Sequence, residues 1–431
     1  MGIKNIFIET YGCASNKADS HMMAGLLNAS GYAIVSNEAE ADCLIINSCA
    51  VKSATENRIA DRLRTLATSN KKIIITGCLT KVNPKRIKSA LPQFAGMLDP
   101  LSIHKIGDLL EQIDSGKWNI ILSTDLKIEK PLLPKLSNNK VIDIVKISDG
   151  CLSRCTFCAT KLARGDLISY RPDYIRDAVK TTLSNGFKEI YLTSEDSSAY
   201  GKDIGTNIAE LTQSIAQLEG NFLIRVGMMN PLHFNRTMAS SLVNVYKKEK
   251  IFKFLHLCVQ SGSNKVLSAM RRGYTREDFI SYVKLFKDEI PKFTLQTDII
   301  VGHPSEDDNA FKETVALIAD VRPDAINLSK FYPRNGTTDA LLEQLDPKLV
   351  NSRSKEIFEM SKRISLENNE TKWLDWQGEV LVDEQIKPGT FMCRNNFYKL
   401  IIVKDDTDLL GKKIKVKINK AKSNFLIGDV L

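Results

Sequence analysis

The 431-residue sequence predicts an α/β protein in three parts. Residues 1–111 read as a parallel α/β domain, 112–139 as a linker, 140–371 as a partial (β/α)6 barrel, and 372–431 as a small all-β barrel of the OB type. Three observations carry this. Apolar strand-like runs alternate with helical ones through the first two parts, which implies parallel sheets. In the second part the unit recurs six times, the pattern of a (β/α) barrel. After about residue 374 the helical pattern stops, and short alternating strands take over, punctuated by Gly378, Gly389, Gly411 and Gly428.

In the first part, IFIET (Ile6–Thr10), CLIINS (Cys43–Ser48) and KIIITG (Lys72–Gly77) are the strands. DSHMMAGLLNASG between the first two is a helix, with Asp19 as its expected N-cap and Gly31 as its stop. SATENRIADRLRTLATS is the next helix, with Ser53 and Glu56 spaced as a capping box. Another helix is expected near Pro84–Leu91. KIEKPLLPKLSNNK supplies the polar, Pro-containing linker. The barrel strands are expected at 141–148, 189–194, 222–229, 254–260, 294–302 and 325–333. A long charged helix near Pro347–Trp373 closes this part.

The chain is 43% hydrophobic and 26% charged, an ordinary balance for packed cores. It has no run of 18 apolar residues and no secretory leader pattern, so a cytoplasmic protein without a membrane span is expected. A monomer is expected as well. Nine cysteines in that compartment point to metal or redox chemistry before disulfides. Net charge is +9, and the last 60 residues carry 11 basic against 8 acidic side chains. That mild excess is compatible with nucleic acid or with a merely solvated surface.

Six of the cysteines form two sets. Cys151, Cys155 and Cys158 fall within GCLSRCTFC, directly after the first barrel strand, where such barrels carry their active sites. Structural zinc wants four protein ligands. Three close thiolates suit a four-iron cluster with one iron left open, although zinc or unrelated thiols remain the alternatives. Cys13, Cys49 and Cys78 each follow one of the first three strands. In a parallel sheet all three would meet outside the strands' carboxyl ends and could hold a second cluster. The alternative there is three unrelated buried thiols. Cys43, Cys258 and Cys393 have no such company and read as packing residues, and the five histidines are dispersed.

The C-x3-C-x2-C spacing, with Phe157 before the last cysteine, resembles the radical S-adenosylmethionine (SAM) superfamily. The whole chain resembles the radical SAM methylthiotransferases, whose small terminal barrel is the RNA-binding TRAM domain. YGCASNKADS, INSCAVKSATENR and TGCL are similar to the family's N-terminal motifs, and LHLCVQSGSNKVLSAMRRGYT and TDIIVGHPSED to its barrel motifs. LARGDLISY, TSEDSSAYG, RVGMMNP and NLSKFYPRNGT resemble the archaeal and eukaryotic branch. The chain departs from the family in LTK after the third cysteine, in His303 and Ser305, and in Asp166 and Ile168.

The resemblance implies an enzyme that converts N6-threonylcarbamoyladenosine at position 37 of tRNA to its 2-methylthio derivative. It implies two [4Fe-4S] clusters, an auxiliary one on Cys13, Cys49 and Cys78 and the SAM-cleaving one on Cys151, Cys155 and Cys158. Two SAM molecules, an electron donor and a sulfur source complete the requirements. No catalytic His or carboxylate pair is expected, because an unactivated aromatic C–H bond offers acid–base groups no handle. Candidates to orient SAM are Ser194, Glu195, Arg225 and Gln260 with Ser261. Arg225 would suit the methionine carboxylate by paired hydrogen bonds. In KKIKVKINKAK, Lys413, Lys415 and Lys417 alternate with apolar residues, which puts the lysines on one strand face, suited to a phosphate backbone. Rival readings are a methylthiotransferase for isopentenyladenosine in tRNA or for a ribosomal-protein aspartate, or a non-catalytic iron–sulfur RNA-binding protein.

Overall fold

The computed structural model describes residues 2–124, 126 and 128–431. Its first sheet is wholly parallel, with strands in the order Ala33–Ile34, Asn5–Thr10, Cys43–Ser48, Lys72–Gly77, Gly96–Leu98 and Ile120–Leu122. The strand Cys43–Ser48 is buried throughout, as its unbroken apolar run requires in a sheet covered on both faces. The last strand lies inside the stretch expected as linker, so the first domain extends past residue 111. At three residues, this edge strand is too short to show an alternating pattern. Positions 125 and 127 of that stretch lie outside the described residues. Lys130, which follows, is 2% exposed and belongs to the domain contact described below.

Two helix caps differ from expectation. The first helix runs from Ala14 to Ala29 with Cys13 at its N-cap, so Asp19 lies in its interior. The second runs Ser53–Leu66 with Lys52 at the cap and no side-chain cap bond, because Glu56 is drawn to Arg334 and Arg86. Gly25 lets the first helix pass close to the following domain's entry segment, where a Cβ would sit 2.2 Å from the Pro134 carbonyl oxygen.

The second domain has six parallel strands in chain order: Ile142–Lys146, Glu189–Thr193, Leu223–Val226, Phe254–His256, Thr294–Val301 and Ala325–Lys330. Isolated parallel bridges, Ile224 to Ile251 and Met229 to Leu257, join its two three-stranded halves. One large apolar core fills the space between this curved sheet and its outer helices. The helix Pro347–Trp373 buries Ile357 and Ile364 against the barrel and delivers Trp373 into the core of the terminal domain.

That domain is a closed five-stranded barrel of Gln377–Lys387, Thr390–Asn395, Leu400–Lys404, Leu426–Val430 and Lys413–Ala421. It docks against the amino ends of the large barrel's strands. There Lys253 N–H donates to the Asn396 carbonyl (2.8 Å), Thr294 Oγ1 to the Phe397 carbonyl (2.6 Å) and Lys399 Nζ to Asp324 (3.0 Å). Val141, Leu223 and Phe254 share an apolar cluster with Leu381, Tyr398 and Leu410 across this contact. Among the described residues, no helix is long and apolar enough to cross a membrane.

Candidate active site

The first three central strands end at Thr10, Ser48 and Gly77, and the ladder continues for one more bond on each side. Tyr11 N–H reaches the Asn47 carbonyl at 2.8 Å, and Cys78 N–H the Ser48 carbonyl at 2.9 Å. Parallel register therefore brings Cys13, Cys49 and Cys78 to one sheet edge. Gly12 makes room for this: at φ +107°, its absent Cβ would lie 3.0 Å from Cys49 Sγ. Cys49 and Cys78 are buried and Cys13 is exposed, so the site opens on the Cys13 side. Burial pushes the Cys78 thiol up to about 12, against the pull of Arg164, with Cys13 and Cys49 adding to the rise. Burial, and then Cys13, also raise the Cys49 thiol.

The second set sits on a loop fixed from several sides. Gly150, at φ +70°, starts it where any Cβ would strike the Asp166 carbonyl oxygen at 2.0 Å. Ser153 Oγ accepts from Asn230 Nδ2 (3.0 Å) and lies 3.2 Å from His233 Nε2. Thr156 N–H donates to the Met270 carbonyl, and its hydroxyl donates to Asp339 (2.6 Å), which also meets His303 Nε2 at 2.9 Å. His303, one of the family departures, thus helps to hold the cysteine loop through Asp339. Arg272 Nη1 donates to Cys155 Sγ at 3.0 Å. Burial raises Cys158, with Cys155 adding to it, and carries Cys151 up to about 12.

Between the two sets runs a buried charge network. Arg164, six residues past Cys158, donates to Asp19 (2.7 Å), Asp149 (2.9 Å) and Asn16 Oδ1 (2.8 Å). Cys78 Sγ lies 3.8 Å from that same Asn16 oxygen. Lys130 and Lys146 complete the set on Asp19 and Asp149. Burial alone would lift the Asp19 carboxyl, but Arg164, Lys130 and Lys146 outweigh it and hold it below its usual range. This is why Asp19 caps no helix: it is a bridge between domains. Breaking a buried ion pair from one side leaves an uncompensated charge, at a cost of about 3–5 kcal/mol. Arg164→Met should therefore lower the thermal midpoint sharply, and Arg164→Met with Asp19→Asn should recover part of it. A midpoint within a degree of the parent in the single variant contradicts this account.

The other predicted residues divide. Ser194, Glu195 and Gln260 lie at the carboxyl ends of barrel strands. Ser194 Oγ is 3.2 Å from Ser197 Oγ. Glu195 faces Arg164 Nε at 3.1 Å without the alignment of a hydrogen bond, and both its oxygens are buried without a hydrogen-bond partner. Burial raises its pKa, with Arg164 and Lys146 pulling the other way. Gln260 takes a left-handed turn (φ +71°), and its Oε1 is also buried and unpartnered. Ser261 is turned away onto Thr314 Oγ1 (3.3 Å).

Arg225 does not join them. Register puts it opposite Tyr191, and its guanidinium carbon stacks 3.7 Å from that ring's centre, 4.9 Å from Tyr398 and 5.0 Å from Phe254. Tyr398 comes from the terminal domain, so these aromatic faces hold the cation toward the domain contact instead of at the cysteine loop. The lysines fit their expected face: Lys413, Lys415 and Lys417 are exposed, while Val416 and Ile418 are buried. Lys413 meets Glu379 at 3.0 Å and Lys417 meets Asp375 at 3.7 Å.

Sequence reasoning passed over one further group. His256 Nε2 and Cys258 Sγ both contact the Asp298 carboxylate at 3.0 Å, on neighbouring strands. Alternation at 254, 256 and 258 was the available signal, but Cys258 read as core.

Both cysteine sets fit iron–sulfur ligation. Each set gathers three free thiols, one at a single sheet edge and the other on a single loop, too few for a closed zinc site. Buried guanidinium groups, Arg164 near Cys78 and Arg272 on Cys155, stand where an anionic cluster would need counter-charge.

Residues 5–99 match the uncharacterized protein family UPF0004, 145–318 the radical SAM superfamily and 378–431 the TRAM domain. The chain is 42% identical, over 99% of both sequences, to a Pyrococcus horikoshii protein named as a probable threonylcarbamoyladenosine tRNA methylthiotransferase. It is 34% identical to the Homo sapiens threonylcarbamoyladenosine tRNA methylthiotransferase, over 99% of this chain and 74% of that one. The fold resembles that of the radical SAM methyltransferase TsrM from Kitasatospora setae, with a TM-score of 0.57 and 13% identity over 78% of this chain and 75% of that one. With 42% identity to the Pyrococcus horikoshii protein over 99% of its length and all three domains in place, the chain is an enzyme belonging to the radical SAM threonylcarbamoyladenosine tRNA methylthiotransferase family.

Proposed function

We propose that this enzyme converts N6-threonylcarbamoyladenosine at position 37 of tRNA to its 2-methylthio derivative, with two [4Fe-4S] clusters and two SAM molecules. The observation that carries this is the pairing of two three-cysteine sets, each at strand carboxyl ends and joined through Arg164, in a chain whose full-length relatives bear that name. When bound, the clusters and SAM would supply the one-electron chemistry that opens an unactivated C–H bond. Cys151, Cys155 and Cys158 would hold the SAM-cleaving cluster, and Cys13, Cys49 and Cys78 the auxiliary one. Gln260 Oε1 and Glu195 Oε2 are buried without a hydrogen-bond partner, which suits ligand donors such as an ammonium group or ribose hydroxyls, while Glu195 Oε1 faces Arg164. Ser194 precedes Glu195 in the chain and meets Ser197 Oγ at 3.2 Å. We place the enzyme in the cytoplasm as a monomer, served by a separate electron donor and sulfur source.

Two surfaces suit the RNA. The exposed lysine face fits phosphates, and phosphate contacts release counterions on binding. Lys413, Lys415 and Lys417 changed together to Ala should weaken tRNA binding and flatten its salt dependence by up to about three units of slope. Equal slopes would remove this face from the interface. The second surface is Tyr332, 47% exposed, with the Arg334 guanidinium 4.9 Å from its ring centre. Arg334 also donates to the Val51 carbonyl, two residues past Cys49 (3.0 Å). An exposed ring beside the auxiliary site is a stacking platform for an unpaired base, worth about tenfold in affinity. Tyr332→Ala should lose that factor and Tyr332→Phe keep it.

The deciding experiment is nucleoside analysis of tRNA from cells with and without this protein. Loss of the 2-methylthio derivative with accumulation of N6-threonylcarbamoyladenosine supports the reading. Loss of a methylthiolated isopentenyladenosine or ribosomal-protein aspartate instead would assign a different substrate.

A further inference from the structure

Arg272 poses a charge problem that the polypeptide leaves unsolved. It is 5% exposed. Its N–H groups donate to Tyr274 Oη (3.0 Å), Asn230 Oδ1 (2.9 Å), the Cys258 carbonyl (3.2 Å) and Cys155 Sγ (3.0 Å). Every oxygen in that set is neutral. The other buried arginines, 164, 334 and 353, each face a carboxylate. Among the described residues, no carboxylate lies at ion-pair distance from Arg272. A buried cation without a counter-ion is strongly unfavourable, so its fixed geometry calls for a negative charge that the protein carboxylates do not provide.

The geometry is built. The helix Asn264–Ala269 ends in a left-handed turn, with Arg271 at φ +52° and Gly273 at φ +71°. Gly273 is packed so closely that a Cβ there would meet Leu232 Cδ1 at 2.7 Å. Tyr274 Oη, which accepts from Arg272 Nε, itself donates to the Val259 carbonyl at 2.7 Å. The guanidinium is thereby aimed at one cysteine of the three and tied to the ends of two neighbouring strands through Asn230 and Cys258.

We propose that Arg272 is the counter-charge to the Cys155 thiolate and sets the reduction potential of the iron–sulfur cluster held by Cys151, Cys155 and Cys158. This rests on the reading that those three cysteines ligate a cluster. Hydrogen bonds to ligand sulfurs and the net charge around a cluster are the protein's levers on its potential. A fixed positive charge stabilises the form with one more electron and raises the potential. Arg272 is a positioning residue here, acting on the cluster through Cys155.

The test is a potentiometric titration of the full chain followed by electron paramagnetic resonance. It is run in the Cys13→Ala, Cys49→Ala, Cys78→Ala background, so that one cluster contributes. Iron content is measured in every sample. Arg272→Gln keeps N–H donors and removes the charge. Arg272→Lys keeps the charge and removes the fork. Arg272→Met removes both. The expected order of potential is parent, then Lys, then Gln, then Met at the lowest. SAM cleavage with a strong reductant should persist in the Gln variant and fall with a weak one. If the Met variant takes up no iron, Gln against Lys decides. Gln and Lys variants with full iron and the parent potential would overturn the proposal, leaving Arg272 as a packing residue. A parent that loses no iron when Cys151, Cys155 and Cys158 are replaced overturns the cluster assignment instead, a separate result.

Discussion

Cys155→Ala will abolish formation of 5′-deoxyadenosine from SAM, to below about one-thousandth of the parent rate, while iron held at the N-terminal site survives. Cys151, Cys155 and Cys158 are the loop's whole ligand set, already one short of the usual four, and losing Cys155 leaves the cluster two. Arg272 makes the loss worse. With Cys155 gone, its guanidinium stays buried with only neutral oxygen partners, which disfavours the loop geometry as well. Liquid chromatography of anaerobic reactions with dithionite checks this. Deoxyadenosine at the parent rate would refute the role given to the loop.

Replacing Cys13, Cys49 and Cys78 together with Ala gives the complementary result. Iron should fall by half, from about eight to about four per chain. Reductive SAM cleavage should continue and product on tRNA should vanish entirely. The two activities separate because the barrel loop is fixed by its own contacts, at Gly150, Ser153, Thr156 and Cys155, none of which involves the N-terminal domain. Full iron in the triple variant would show that the sheet-edge thiols ligate nothing.

Much of this arrangement is legible in the chain because it is local. A cysteine directly after a strand is a sequence feature, and parallel register turns three such features into one site. The alternation in KKIKVKINK likewise fixes its lysine face without help from the rest of the fold. The residues that escaped reading act over long separations. Arg272 reaches back 117 positions to Cys155, and Arg164 reaches 145 to Asp19. Neither distance leaves a trace in periodicity. Asp19 was legible as polar near a helix start but not as a bridge, because its partners come from another domain. Arg225 shows the opposite failure. An arginine near a strand end suits an anionic ligand, yet the faces of Tyr191 and Tyr398 claimed it, and Tyr398 lies in the terminal domain.

The docking of that terminal domain at the amino ends of the barrel strands fixes a length scale for the substrate. The cysteine loops lie at the carboxyl ends, so the two are separated by at least one strand. The strand Ile142–Lys146, which leads into the Cys151 loop, has five residues, and at about 3.3 Å each they make that roughly 17 Å. A tRNA whose modified base enters between the cysteine sets, and whose phosphates also meet Lys413, Lys415 and Lys417, must bridge this gap. Those lysines then grip a part of the molecule well removed from the reacting base. A free nucleoside, or a fragment limited to the few bases around it, cannot touch both ends. If Lys413, Lys415 and Lys417 do hold phosphates, substrate choice would rest on reach across this distance as well as on the base itself.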